Sequence, residues 1–272
     1  MSGTLPIGAI KENSCLSLGI GGDGGSDSLR QRRVLISAMT TDTPQFESSD
    51  QMAAATAAAL VQAAAHYAFQ LFRDKGFRRL AGFDNLNPVE QDRVFNELIV
   101  AHVVLVILVL EAPDLRVPRE FRSYLVDLKE KIPNAHLDYL RTLGVETEHL
   151  RDWEKLIALR YDEYAKDRHE VRSAAMQIQS SEKPLDPDDL SKIQMLVPVQ
   201  AVAIGCHHHI CRGDTKGRDD LFKLTLGPLS RFYVDIRGRL EGVKTTPLTR
   251  ARQALKRMIR RKRTGKGSKS GE

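Results

Sequence analysis

From Leu98 to Leu110 the chain is apolar at every position but one, His102, and a glutamate stands at either edge, Glu97 and Glu111. A segment this apolar has to leave water, either inside a protein core or in a bilayer. Thirteen residues of helix rise only about 20 Å, short of the roughly 30 Å of a hydrocarbon layer, so a buried core helix is expected. The β-branched density of residues 103–110 would also suit a buried strand, but the flank decides for helix. In Asn87-Pro88-Val89-Glu90 the asparagine caps, the proline sits where its missing N–H costs nothing, and the glutamate faces the helix dipole. That helix should end near Glu111, before Pro113.

The same start logic recurs along the chain. Ser48 or Ser49 can cap a helix running to about Lys75 and ended by Gly76, alanine-rich from Ala53 to Ala65. Asp186-Pro187-Asp188-Asp189 and Thr246-Pro247 open two later helices. Val117-Pro118 opens a shorter one that Pro133 interrupts, and Gly144 closes the next. Residues 147–181 predict the longest helix, about 50 Å. On it Leu150, Ile157, Tyr164, Val171 and Ile178 recur every seven positions, with Trp153 and Ala174 three further on. Arg160 and Asp167 break that second row, and Tyr161 and Ala175 fill the stripe beside it. The pattern suits bundle packing, with a homo-oligomer seam as the second use of the same stripe. Strand signals are thin, and no repeat recurs at solenoid spacing. The expected fold is all-α: a multi-helix bundle over 48–243, after a disordered leader over 1–47 and before a basic amphipathic helix and disordered tail over 244–272.

The leader holds five glycines between Gly19 and Gly25. No buried strand precedes them and no Gly-Lys-Ser/Thr follows, so a phosphate-cradling loop is not expected. The first thirty residues lack the apolar core of a secretory signal, and Ser2 stands where myristoylation needs glycine. Met39-Thr40-Thr41-Asp42 reads well as a start, so residues 1–38 are expected to be untranslated. The intact mass of natively expressed protein tests this, and a full-length mass would refute it. Three cysteines, Cys15, Cys206 and Cys211, are too few for a disulfide framework and point to a reducing, cytoplasmic setting.

Two features carry candidate chemistry. The first is Cys206-His207-His208-His209-Ile210-Cys211, where five of six residues offer a thiolate or imidazole donor of the kind zinc prefers. At 100° per residue, His207, His208 and Cys211 share one side of a helix, while Cys206 and His209 lie near Ile210. His207 and Cys211, one turn apart, could chelate a single ion, and Pro198 and Gly205 are expected to kink or loosen the helix just before the cluster. Two further donors would come from elsewhere among His66, His102, His136, His149 and His169. Metal-binding protein or metalloenzyme is therefore the alternative function class. Glu146-Thr147-Glu148-His149 supplies one Glu-x-x-His of the pair that a di-metal bundle needs, and no second exists. His102 is expected to be a buried histidine bonded to a neighbouring helix. No nucleophile-elbow or triad signature supports hydrolytic catalysis.

The second feature is charge segregation. From Arg250 onward there are ten bases against one acid, whereas residues 1–249 hold 31 bases against 34 acids. A mildly acidic body thus ends in a strongly basic arm. Arg250, Arg252, Lys256, Arg257, Arg260, Arg261, Lys262 and Arg263 surround an apolar stripe of Leu248, Ala251, Leu255, Met258 and Ile259. Such a helix contacts an anionic partner. Nucleic acid is favoured over a membrane because the arm lacks aromatic anchors. A non-enzymatic helical binding protein is the leading expectation.

Overall fold

The computed structural model describes residues 48–182 and 186–242. These residues form seven helices and no strand: α1 (Ser49–Arg73), α2 (Lys75–Leu80), α3 (Pro88–Leu110), α4 (Arg122–Thr142), α5 (Thr147–Glu182), α6 (Pro187–Ile210) and α7 (Asp219–Leu240). The predicted all-α bundle is what folds. The expected leader, the Thr246-Pro247 helix and the basic arm lie outside the described residues.

The apolar run sits at the centre. Asn87 caps α3 through its side chain, which accepts from the Glu90 amide at 2.9 Å, and the helix ends at Leu110 with Glu111 as its cap. Every residue from Val94 to Leu110 is buried, because α1, α4, α5, α6 and α7 all pack against α3. A helix apolar on all sides is stable only when enclosed in this way. Counting thirteen residues understates its length. Both Ser49–Arg73 and Pro88–Leu110 are long and apolar enough to cross a membrane, at mean hydropathies of 1.2 and 2.2. Burial inside the bundle, 94% across the α3 window, accounts for its apolarity.

Three local expectations are corrected by packing. The first helix ends at Arg73, not Lys75, and Gly76 lies inside α2. Asp74 makes the break: its backbone is extended (φ −62°, ψ 124°) and its carboxylate accepts from the Phe77 amide at 2.8 Å, starting a new helix. The next helix begins at Arg122, after a 3₁₀ turn over Arg119–Phe121, and runs straight through Pro133. Buried Ile132, His136, Leu137 and Leu140 hold that helix to the core on both sides of the proline. Their burial outweighs the one backbone hydrogen bond the ring removes.

Likewise α6 continues through Pro198 and Gly205 to Ile210. Gly205 is not a loosening residue. A Cβ there would lie 2.2 Å from Cε1 of Tyr164, a fully buried ring on α5. Only a residue without a side chain lets the two helices close. Gly205→Ala should therefore lose about 3 kcal/mol in urea unfolding, the upper end of what overpacking costs. A variant as stable as the parent would show that α5 and α6 can part at this point.

The α5 stripe is core only in its first half. Leu150, Trp153, Ile157 and Tyr164 are buried, whereas Ile178 is 64% exposed.

Candidate functional site

A polar network crosses the bundle where α3, α5 and α6 meet. Arg160 on α5 is one of the two charges that break the second row, and Glu97 marks the near edge of the apolar run on α3. The Arg160 guanidinium donates to both oxygens of Glu97, Nε at 3.0 Å and Nη2 at 2.7 Å. Its Nη1 donates to Glu163 at 3.1 Å, and Glu163 meets His209 Nε2 on α6 at 2.7 Å. Burial alone would lower the Arg160 pKa, but the Glu97 carboxylate outweighs it and holds the guanidinium above its usual value. The pairing satisfies a carboxylate that would otherwise be buried unneutralised.

Two nucleophile types adjoin this network. Cys206 is fully buried and its Sγ faces the Glu97 carbonyl oxygen at 3.9 Å. Burial, reinforced by the Glu97 charge, pushes its thiol well above the ordinary range. The buried Tyr164 hydroxyl is pushed up in the same way, by burial first and then by Cys206 and Glu97. Nucleophilic sulfur requires thiolate, so this thiol is held in its unreactive form. A groove of about 370 Å³ between α1 and α4 is lined by Ala54, Ala57, Ala58, Lys131, Asn134 and Tyr139, among others. None of the network residues reaches it. The network ties three helices together.

The predicted metal donors are spread over different neighbours. Cys206 turns to α3 and His209 to Glu163 on α5. His208 is exposed, and His207 is buried with its ring 5.5 Å from Phe222 on α7. Burial lowers the His207 pKa. Cys211 is buried at the C-cap of α6, where Arg218 Nη1 approaches its sulfur at 3.9 Å. The end of α6 is also capped by Arg93, which donates to the carbonyls of His209 at 2.8 Å and Ile210 at 3.2 Å. Such a cation satisfies terminal carbonyls and the negative helix end together.

Among the described residues, three potential donors lie within 4.8 Å of one another at Glu146, Glu148 and His149. This is the Glu-x-x-His stretch. The two acids are exposed at the start of α5, where they complement its dipole.

His102 is buried as expected, but its Nδ1 bonds to the Leu98 carbonyl of its own helix at 2.7 Å, not to a neighbour. Its ring packs 5.1 Å from Phe232. His136, also fully buried, packs 5.5 Å from Trp153. The arm residues Arg250, Arg252, Lys256, Arg257, Arg260, Arg261, Lys262 and Arg263 lie outside the described residues.

Sequence reasoning missed the Glu97–Arg160 pair. The signal was present, since a long cation interrupting a heptad row needs an anion opposite if that row is buried. No protein-family model, curated protein or solved structure matches this chain.

Proposed function

We propose that this protein is a helical binding protein whose basic arm, Arg250 to Lys269, contacts the phosphates of a nucleic acid. The observation that carries the reading is the separation of charge, ten bases against one acid from Arg250 onward and a net acidic remainder. The folded body supports it from the other side. Its most buried charges are consumed internally: Arg160 with Glu97 and Glu163, and Arg237 with Asp114 and Glu241. Cationic side chains crowded on one short segment release counterions when they meet phosphate, which gives affinity without sequence reading.

The test is salt dependence. With eight bases between Arg250 and Arg263, affinity for a generic duplex should fall about 10³–10⁵-fold between 50 and 200 mM salt. Deleting residues 247–272 should abolish it. Binding that survives the deletion, or that ignores salt, would refute the proposal. Equal affinity for anionic vesicles would move the partner to a membrane surface.

A further inference from the structure

One face of α6 is apolar and open. The helix meets α5 at Gly205 and His209, α3 at Cys206 and α7 at His207 and Met195. What remains carries Ile193, Leu196, Gln200 and Ile204, three or four positions apart. Leu196 is 40% exposed and Ile204 46%, with Leu190 at 38% on the preceding turn. Between Met195 and Cys206 α6 holds one polar residue, Gln200, so that stretch is apolar nearly all round, and such a stretch is normally enclosed.

The chain itself holds a segment of the right shape and origin. Residues 247–263 carry Leu248, Ala251, Leu255, Met258 and Ile259 on one stripe. Helix α7 runs antiparallel to α6: Phe222 lies against His207 and the Tyr233 hydroxyl donates to the Met195 carbonyl. By that register the end of α7, at Leu240, lies beside the first turn of α6. Residues 243–246 can bridge about 13 Å, more than the 8–10 Å between packed helices. A helix starting at Pro247 then enters at the Leu190 end and runs alongside α6 toward Ile204. Its 17 residues rise about 25 Å, against about 21 Å from Leu190 to Ile204. Leu248 to Ile259 spans eleven positions, as does Ile193 to Ile204, so both ends of the stripe find a partner. The basic segment also carries charge opposite to that of the body it would cover.

We propose that residues 247–263 dock as an amphipathic helix on the Ile193–Ile204 face of α6. On a regular helix Arg250, Arg257 and Arg260 then lie opposite the docked stripe, facing away from the bundle. The docking goes beyond the nucleic-acid reading and does not depend on it.

The test uses the full chain carrying Cys15→Ser and Ile204→Cys, without any polyanion. A water-soluble maleimide should label position 204 about tenfold more slowly than in the same chain with Leu255→Asp, Met258→Asp and Ile259→Asp. In dilute solution, mild oxidation should join Ile204→Cys to Ile259→Cys within one chain, while Ile204→Cys with Leu248→Cys should stay reduced. Equal labelling rates would overturn the proposal. Protection that disappears on dilution, with disulfides between chains, would assign the face to a second copy and overturn it as well. Failure of salt-dependent nucleic-acid binding would leave this result untouched.

Discussion

Arg160→Met is expected to lower folding stability by about 3–5 kcal/mol, the cost of removing one partner from a buried ion pair. The remaining partner, Glu97, has a side chain only 7% exposed and would lose both of its guanidinium hydrogen bonds. Exposed pairs of the same chemistry, such as Lys155 with Asp152, contribute at most about 1 kcal/mol. The difference comes from solvent: water can replace a lost partner at the surface and has little access to Glu97. A second substitution separates the charge from the packing. Glu97→Leu combined with Arg160→Met removes both ions, and an apolar pair of similar volume is often as stable as the original. The double variant should therefore recover most of the loss. Glu163 is partly exposed and keeps its hydrogen bond to His209 in either case. Urea unfolding of the four proteins gives the coupling directly. A loss below about 1 kcal/mol in the single variant would mean that water reaches Glu97, and the network would have to be read as open.

Local signals were legible in the sequence and distant pairings were not. Asn87-Pro88 and Asp186-Pro187 start helices where expected, because a cap and a proline act within four residues and need no tertiary partner. The apolar run fixed which helix is central, since thirteen residues with a single polar side chain cannot meet water on any side. Prolines misled. Pro133 and Pro198 both sit inside continuous helices, because burial of the residues around them exceeds the local cost. Gly205 misled for a related reason: a glycine inside a helix looks like weakness until Tyr164 is placed against it. The Cys206–Cys211 run looks like one site when read linearly, although sorting by 100° already parts Cys206 and His209 from His207 and Cys211. The structure sends the first pair to α3 and α5 and the second toward α7. That Glu97 would meet Arg160, 63 positions away, depends on how three helices pack. No spacing rule within one helix contains that information.

Mild acid should destabilise the fold through two buried histidines. His102 and His136 are fully buried, and burial pushes each pKa from an ordinary 6.5 down to about 4. The sign follows from which state takes the proton. Above pH 6.5 both histidines are neutral whether the chain is folded or not, and they add no pH dependence. Between 6.5 and about 4 the unfolded chain binds two protons that the folded chain refuses, so stability falls as pH falls. Each group contributes up to about 1.4 kcal/mol per pH unit. Moving from pH 7.5 to pH 5 should thus cost about 4 kcal/mol from the pair together. Below about pH 4 the folded histidines protonate too and the loss levels off. Glu90, held below its ordinary value chiefly by Arg212, acts only lower, and Asp167, whose carboxyl burial raises, acts in the opposite sense. Substitution assigns the effect. Among the described residues neither ring nitrogen of His136 has a hydrogen-bond partner, so His136→Leu sacrifices no bond and should remove about 2 kcal/mol of the pH 7.5-to-5 loss. His102→Leu forfeits the bond to Leu98 but should remove a similar amount, and His207, also lowered by burial, adds to the loss in the same direction. Urea midpoints at the two pH values provide the measurement. An unchanged pH dependence in the double variant would show that other groups drive the acid response and that these two histidines stay neutral in the unfolded chain as well.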